Sequence, residues 1–173
     1  MALLFTPLTL RGRAFRNRAW ISPMCQYSSH QGRPDPWHLV HLGGFAKGGA
    51  GLVITEATAI TPEGRITPSC AGIWTDEQAE DYAPIVEFMH RQGAAAGIQL
   101  AHAGRKASTS VPWQGSSGLA IAEGGWGTLA PSAVPFGRLA PPEAMTVPQI
   151  DQVVAGWAEA ARRAVAVGFD VIE

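Results

Sequence analysis

The chain has 173 residues, 46% of them hydrophobic and 16% charged, which is ordinary for a globular protein that buries a core. The formal net charge is −1 and Lys and Arg are scattered singly, so no basic surface is available for a nucleic acid partner. The cysteines Cys25 and Cys70 form no disulfide or zinc pattern. With no apolar segment near the roughly 18 residues of a membrane span and no secretory pattern at the amino terminus, we expect a cytoplasmic protein without a membrane partner.

The first predicted elements are a β-hairpin and a short buried strand. The stretch "LLFTPLTLRGRAFRN" alternates around Arg11 and Gly12, as a hairpin does, and such a hairpin would close the bottom of a barrel. The next stretch, "RAWISPM", is mostly apolar and ends near Pro23. It predicts a strand buried on both faces.

Three segments then repeat one plan, in which a helical pattern ends at a glycine and a short apolar strand follows. The predicted strands are "GLVITEA", "GIQLAH" and "FDVIE". The terminating glycines are expected to adopt left-handed C-cap conformations: Gly48, Gly93 and Gly168.

Capping residues mark where the three helices begin. Asp35 is a good N-cap with Pro36 at the first helical position, and two other helices begin with the capping-box pairs Thr75–Gln78 and Thr146–Gln149. Pro84 predicts that the second helix kinks or restarts. The third helix should bury one apolar face, made of Ile150, Val153, Val154, Trp157, Ala161, Ala164 and Val165.

Alternating strands and helices predict an α/β fold with a parallel sheet and right-handed crossovers. Four such strands are half of a (β/α)8 TIM barrel, and the sequence stops at Glu173 with the fourth strand still running. We therefore expect residues 1–173 to be the amino-terminal half of one barrel domain, with a long loop at about 103–145. A flavodoxin-like open sheet is the alternative.

In a parallel barrel the functional residues follow the carboxyl ends of the strands. That rule selects a set after the first three strands: Pro23, Met24, Cys25, Tyr27, Glu56, Ala57, Gln99 and His102. Structural roles compete with function at several of them. Cys25 can be a small buried hydrophobe, and Tyr27 can extend its hydroxyl to water. Glu56 can pair with a lysine or arginine of a neighbouring strand, and His102 with a backbone carbonyl. Gln99 is harder to explain structurally, because a carboxamide in a buried strand needs polar partners and a ligand would supply them.

Four motifs together resemble one known family. "SPMCQY", "WHLVHLGGFAKGGAGLVITEATAITPEGRITPSCAGIW", "GIQLAHAGRKAS" and "PSAVPFG" are similar to the Old Yellow Enzyme family of flavin-dependent ene-reductases, in its bacterial thermophilic-like branch. The motifs occur in the family's order and cover essentially the whole chain.

The resemblance implies an FMN site. It implies that the backbone of four residues lines the isoalloxazine ring: Ser22, Pro23, Met24 and Cys25. It further implies that the Cys25 sulfur tunes the flavin near N5 and O4, and that Ala57 contacts the ring through its backbone. By the same resemblance, Gln99 bonds the pyrimidine edge with both halves of its amide, and the phenol of Tyr27 binds substrate. No metal is implied.

The resemblance also implies a reaction. NADPH or NADH reduces the flavin, which then passes hydride to small-molecule acceptors such as enones, nitroalkenes and similar xenobiotics. The family's substrate-binding histidine pair would follow Glu173, and a homo-oligomer is expected for the full-length form. The alternative is a catalytically inactive half-barrel that only binds or assembles.

Overall fold

The computed structural model describes residues 2–173, and its regular elements alternate as the sequence predicts. The strands are β1 (Leu8–Leu10), β2 (Arg13–Phe15), β3 (Trp20–Ile21), β4 (Leu52–Ala59), β5 (Ala95–Ala101), β6 (Leu129–Ala130), β7 (Glu143–Ala144) and β8 (Val171–Ile172). The α-helices are α1 (Pro36–Lys47), α2 (Asp76–Arg91) and α3 (Val147–Ala166).

The main sheet has four parallel strands in the order β3-β4-β5-β8. The order follows the chain without the reversal of a flavodoxin-like sheet, so the open-sheet alternative is wrong. A parallel sheet with strands in chain order and a helix in each crossover is the arrangement of a (β/α)8 barrel. The α/β partial-barrel prediction is therefore confirmed.

The two faces of the sheet carry two separate apolar clusters. The outer face packs against the helices, with Val53 and Ile98 fully buried among α1, α2 and α3. The inner face holds a smaller cluster of Phe15, Leu52 and Ala95. Because Phe15 belongs to β2, the antiparallel hairpin β1–β2 covers the amino-terminal end of the inner face. The predicted hairpin is thus present, in the predicted place.

Arg16 ties the hairpin to the ends of two helices. Its guanidinium donates hydrogen bonds to the carbonyl oxygens of Ala46 (2.8 Å) and Gln92 (2.7 Å), and two to that of Ala50 (3.1 and 2.8 Å). Carbonyls at helix C-termini lack intrahelical partners, and a cation there also interacts favourably with the helix dipole. One side chain therefore fixes the bottom of the half-barrel.

The three helices begin at the predicted capping residues, and two of the three predicted C-terminal glycines have the expected left-handed conformation. The Asp35 carboxylate accepts from the backbone N–H of Trp37 at 2.9 Å, and the Thr75–Gln78 capping box is formed. Gly168 (φ +98°) is left-handed as predicted, and so is Gly93, but Gly48 has φ −68° and Gly49 takes the left-handed position with φ +104°. The prediction for Gly48 was wrong by one residue, because either glycine of the pair can take that conformation.

Helix α3 buries only part of the predicted face, because Ala164 is buried and Val153 and Ala161 pack against the core. Ala160 and Ala164 are fully buried, whereas Val154 and Val165 are 62% and 63% exposed. The buried side is the one with small residues, and a Cβ added at Gly156 would lie 3.5 Å from the Thr61 methyl group. That distance is an ordinary van der Waals contact, and the larger apolar residues Val154 and Val165 lie on the exposed flank of the helix.

Two other expectations need adjustment. Helix α2 runs unbroken through Pro84, which lies on its exposed side, where water can satisfy the carbonyl that loses its partner. The first predicted strand pairs over only Trp20–Ile21, and the prediction that it is buried on both faces is wrong, since Trp20 is exposed and Ile21 half-buried at the edge of the sheet. The long loop at 103–145 contains three short 3₁₀ helices and the two-residue parallel pair β6–β7, as expected for an elaborated loop without a sustained period.

We expect the isolated 173-residue chain to be oligomeric, aggregated or only loosely folded. Strands β3 and β8 are the edges of the sheet, and unpaired edge groups recruit further strands. Light scattering and thermal melting test this, with Ile172→Lys as a variant that places a charge on the β8 edge and should reduce association. A monodisperse wild-type monomer that melts cooperatively would contradict the prediction.

Candidate functional site

The candidate site lies where three neighbouring strands end. The segment Ser22–Tyr27 follows β3, Ala57 lies near the end of β4, and Gln99 lies in β5. Ala57 and Gln99 are direct partners in the β4–β5 ladder. The fold therefore brings the predicted residues of two strands together at the carboxyl edge, with the third strand's loop beside them.

A β-bulge in β4 sets which residues face inward. Thr55 is opposite Ile98 and Ala57 is opposite Gln99, so Glu56 is an extra residue without a partner in β5. Bulges re-aim side chains and are common beside active sites. Here the bulge puts Ala57 on the same face as Gln99 and turns Glu56 toward α1.

Glu56 is a buried carboxylate, 3% exposed, with two partners. One oxygen accepts from the backbone N–H of Gln26 at 2.9 Å, and the other lies 3.0 Å from Nε2 of His38. The sequence suggested a lysine or arginine partner on a neighbouring strand, and the partner is instead a helical histidine. The Glu56–His38 pair joins the loop, the sheet and α1.

His38 is 2% exposed and contacts groups at both ring nitrogens. Nε2 also lies 3.3 Å from the Ser29 hydroxyl, and Nδ1 lies 3.0 Å from both the backbone N–H and the carboxylate of Asp35. Burial lowers the pKa of His38, but the hydrogen bond and charge of Glu56, assisted by Asp35, outweigh it and raise the pKa above 6.5.

Cys25 is a half-buried free thiol. Burial, followed by the charges of Cys70 and Glu56, raises its pKa to about 11. The thiol therefore stays protonated at neutral pH and is a poor nucleophile. Its position at the strand end suits a polarisable neighbour to a bound ring better than covalent chemistry.

Tyr27 has a strained backbone and an aromatic neighbour. Its φ is +52°, an unusual value for a residue other than glycine and one often retained at functional positions. Its ring meets Trp113 of the long loop edge-on, with centroids 5.8 Å apart. Burial raises the pKa of the phenol to about 12, so at neutral pH it is a hydrogen-bond donor.

The other residues predicted for the site are half-buried or exposed. Gln99 is half-buried, and its Nε2 donates to the Glu173 carboxylate at 2.9 Å. Ser22 and Met24 are exposed and Pro23 is half-buried, so the segment presents backbone and side chains outward.

His102 carries a buried nitrogen without a partner. Its Nδ1 accepts from the backbone N–H of Gly104 at 3.1 Å, while Nε2 is buried without a hydrogen bond among the described residues. The expected backbone carbonyl partner is therefore absent from that part of the chain. Burial lowers the pKa of this histidine.

Sequence reasoning missed two residues of the site. His38 lies on the mostly apolar helix α1 and gives no signal of its pairing, although its place three residues after the N-cap Asp35 is visible in the sequence. Trp113 lies in the long loop, where no periodicity links it to Tyr27.

Cavities and metal-binding groups add little to this site. A cavity of about 10 Å³, enough for one water, is bordered by Glu56, His38 and Tyr82. Within residues 2–173 no cluster of three or more His, Cys, Asp or Glu side chains is arranged to hold a metal ion. Among the helices of that range, none is long and apolar enough to cross a membrane.

Comparison with known proteins gives a consistent set of matches. Residues 3–173 match the model of the NADH:flavin oxidoreductase / NADH oxidase family. The chain is 46% identical to an NADH:flavin oxidoreductase of Gibberella zeae, over 98% of this chain and 42% of that protein. It is 43% identical to the NADPH dehydrogenase of Bacillus subtilis, over 98% of this chain and 47% of that protein.

Solved structures give the same picture. Morphinone reductase in complex with tetrahydroNAD superposes with a TM-score of 0.83 at 28% identity, covering 99% of this chain and 48% of that one. The Old Yellow Enzyme from Pichia sp. AKU4542 gives 0.84 at 29% identity, with 98% and 45% covered. The chain thus spans about half the length of the relatives that it matches.

The Glu56–His38 pair predicts that the free energy of unfolding depends on pH. Because its pKa is raised in the folded state, His38 should stabilise the fold fully below pH 6.5, and this contribution should be lost as the pH rises through the raised value. Because the isolated chain is expected to fold only loosely, urea unfolding is measured in a complex with the carboxyl-terminal half of the Bacillus subtilis relative. Across this pH range wild type should lose stability relative to His38→Gln. His30→Gln controls for loss of an exposed histidine, and a difference that grows with pH would contradict the prediction.

Proposed function

The chain belongs to the NADH:flavin oxidoreductase / NADH oxidase family, and on that premise we propose that it supplies the flavin-binding face of an FMN-dependent NAD(P)H oxidoreductase. The proposed acceptors are alkenes conjugated to a carbonyl or nitro group. In this proposal residues 1–173 form the amino-terminal half of one barrel domain, and the full-length protein is a cytoplasmic homo-oligomer.

One observation carries the proposal. The bulge at Glu56 aligns Ala57 with Gln99 on the inner face, beside the segment that ends β3. This arrangement offers a small side chain, a carboxamide and a backbone edge on one surface. A flat ligand with a polar rim fits such a surface, because the small residue leaves room for the ring and the amide can pair with its edge.

The residues present fit FMN. The Gln99 carboxamide supplies a donor and an acceptor, and its carbonyl oxygen has no partner within residues 2–173, while its Nε2 partner is a side chain that a ligand can replace. When bound, FMN would supply the hydride chemistry that the chain's own side chains lack. Ser22, Pro23, Met24 and Cys25 would hold one side of the ring through the backbone, and Ala57 would hold it at the end of β4.

Two side chains have proposed roles beside the ring. The protonated thiol of Cys25 would be a polarisable neighbour that adjusts the redox potential. The phenol of Tyr27 would donate a hydrogen bond to the acceptor's carbonyl or nitro group, and the edge-on Trp113 ring would keep the phenol oriented. NADPH or NADH is the proposed reductant, supported by NADPH dehydrogenases among the relatives.

A second candidate is a half-barrel that binds or assembles without catalysis. The two candidates differ in whether the chain contributes to flavin reduction once the second half of a barrel is supplied.

Reconstitution separates the two candidates. We expect co-expression with the matching carboxyl-terminal half of the Bacillus subtilis NADPH dehydrogenase to give soluble yellow protein, because that half would pair both sheet edges. With dioxygen excluded, the complex should oxidise NADPH in the presence of 2-cyclohexen-1-one but not of the saturated control cyclohexanone. A soluble complex without flavin or without enone-dependent NADPH oxidation would contradict the proposed function.

Gln99 provides a sharper test of the cofactor site. Gln99→Leu in the same complex should weaken FMN binding by about 1–3 kcal/mol, because the polar edge of the ring would lose its partner. Flavin fluorescence titration measures this, and Gln152→Leu on the exposed side of α3 is the matched control. Equal affinity of Gln99→Leu and wild type would show that the amide faces elsewhere.

A further inference from the structure

The Glu56 carboxylate is an unusual group to find in the middle of a buried strand. It is 3% exposed, and the bulge excludes it from the β4–β5 pairing. Burying a carboxylate is costly, and a well-packed apolar residue is often equally or more stabilising at such a place. Stability of the sheet alone therefore does not explain this residue.

The contacts of Glu56 converge on the loop that follows β3. Its Oε2 accepts from the backbone N–H of Gln26 at 2.9 Å, directly after Cys25. Its Oε1 faces His38 Nε2 at 3.0 Å, and His38 Nδ1 in turn contacts the N-cap residue Asp35 at 3.0 Å. A continuous set of hydrogen bonds, buried at its centre between Glu56 and His38, thus runs from the Cys25–Gln26 peptide to the beginning of α1.

Side-chain contacts of Gln26 strengthen the same connection. Its Oε1 accepts from the indole N–H of Trp37 at 3.2 Å, and its Nε2 donates to the carbonyl of Met24 at 2.8 Å. The segment therefore has fixed partners on the helix, on the strand and within itself. This is the segment that the proposed function places against the flavin.

We propose that Glu56 and His38 are positioning residues, which hold the Met24–Gln26 segment, and with it the Cys25 thiol, in register with Ala57 and Gln99. The inference rests on the proposed function for its flavin-facing role. Neither side chain touches the reacting atoms in this account. Glu56 accepts a hydrogen bond from the backbone N–H of Gln26. His38 holds the Glu56 carboxylate in the orientation that reaches this N–H.

Neutral variants of Glu56 separate positioning from charge. Glu56→Gln keeps an acceptor for the Gln26 amide, whereas Glu56→Met has a similar size and offers none. Both variants remove the Glu56 charge, which disfavours the Cys25 thiolate, so this electrostatic effect is the same in both. The ratio of their Cys25 alkylation rates therefore measures how well the loop is held in position. The probe is iodoacetamide, applied to the reconstituted complex because the isolated chain is expected to fold only loosely. Peptides are mapped by mass spectrometry to separate Cys25 from Cys70, which is 1% exposed.

The expected result is that Cys25 in Glu56→Met reacts about tenfold faster or more than in Glu56→Gln, because the freed loop opens locally more often. Val86→Ala truncates a core side chain of α2 and controls for a general loss of stability. Cys25 in this variant should be alkylated at about the wild-type rate. Equal rates in Glu56→Met and Glu56→Gln would overturn the proposal.

Two further arms cover the remaining outcomes. If Glu56→Met does not fold, His38→Leu removes the other member of the pair, and Cys25 in that variant should also react faster than in wild type. An unchanged rate overturns the proposal.

In the reconstituted complex, Glu56→Met should bind FMN more weakly than Glu56→Gln, and equal binding also overturns the proposal. Wild-type complex that binds no FMN contradicts the proposed function instead, and the alkylation ratio still decides the positioning role.

Discussion

The hydrogen bonds of the Glu56 carboxylate are the constraint on which the arrangement of the site depends. They connect the loop after β3, the bulged strand β4 and the first turns of α1, at 2.9 Å to Gln26 and 3.0 Å to His38. The bulge that frees Glu56 from the ladder also brings Ala57 beside Gln99. One local irregularity thus both shapes the inner surface and fixes the loop beside it.

Much of the fold could be predicted from the sequence because its signals are local. The hairpin around Arg11 and Gly12, the N-cap Asp35 and the Thr75–Gln78 box each depend on a few adjacent residues, and each is present. The apolar runs of the parallel strands are similarly short-range signals. The rule that parallel barrels place function at the carboxyl ends of strands then selected residues that the fold does bring together, Ala57 and Gln99.

What the sequence did not predict depends on contacts between distant segments. The bulge exists only in relation to β5, and the partner of Glu56 is 18 residues away on a helix. Only part of the predicted apolar face of α3 is buried, since Ala164 is in the core while Val154 and Val165 are exposed. The left-handed residue after α1 is Gly49 instead of Gly48, because both glycines can adopt that conformation and the sequence does not distinguish them.

The most direct test of this account is residue-resolved amide hydrogen exchange in the wild-type chain, measured by NMR together with the complementary half. The account predicts that the Gln26 amide, bound to a buried carboxylate, exchanges nearly as slowly as strand amides such as that of Ile98. The Ser28 amide, which has no acceptor within residues 2–173, should exchange much faster. Rapid exchange of Gln26 at the rate of Ser28 would contradict the claim that Glu56 fixes this loop.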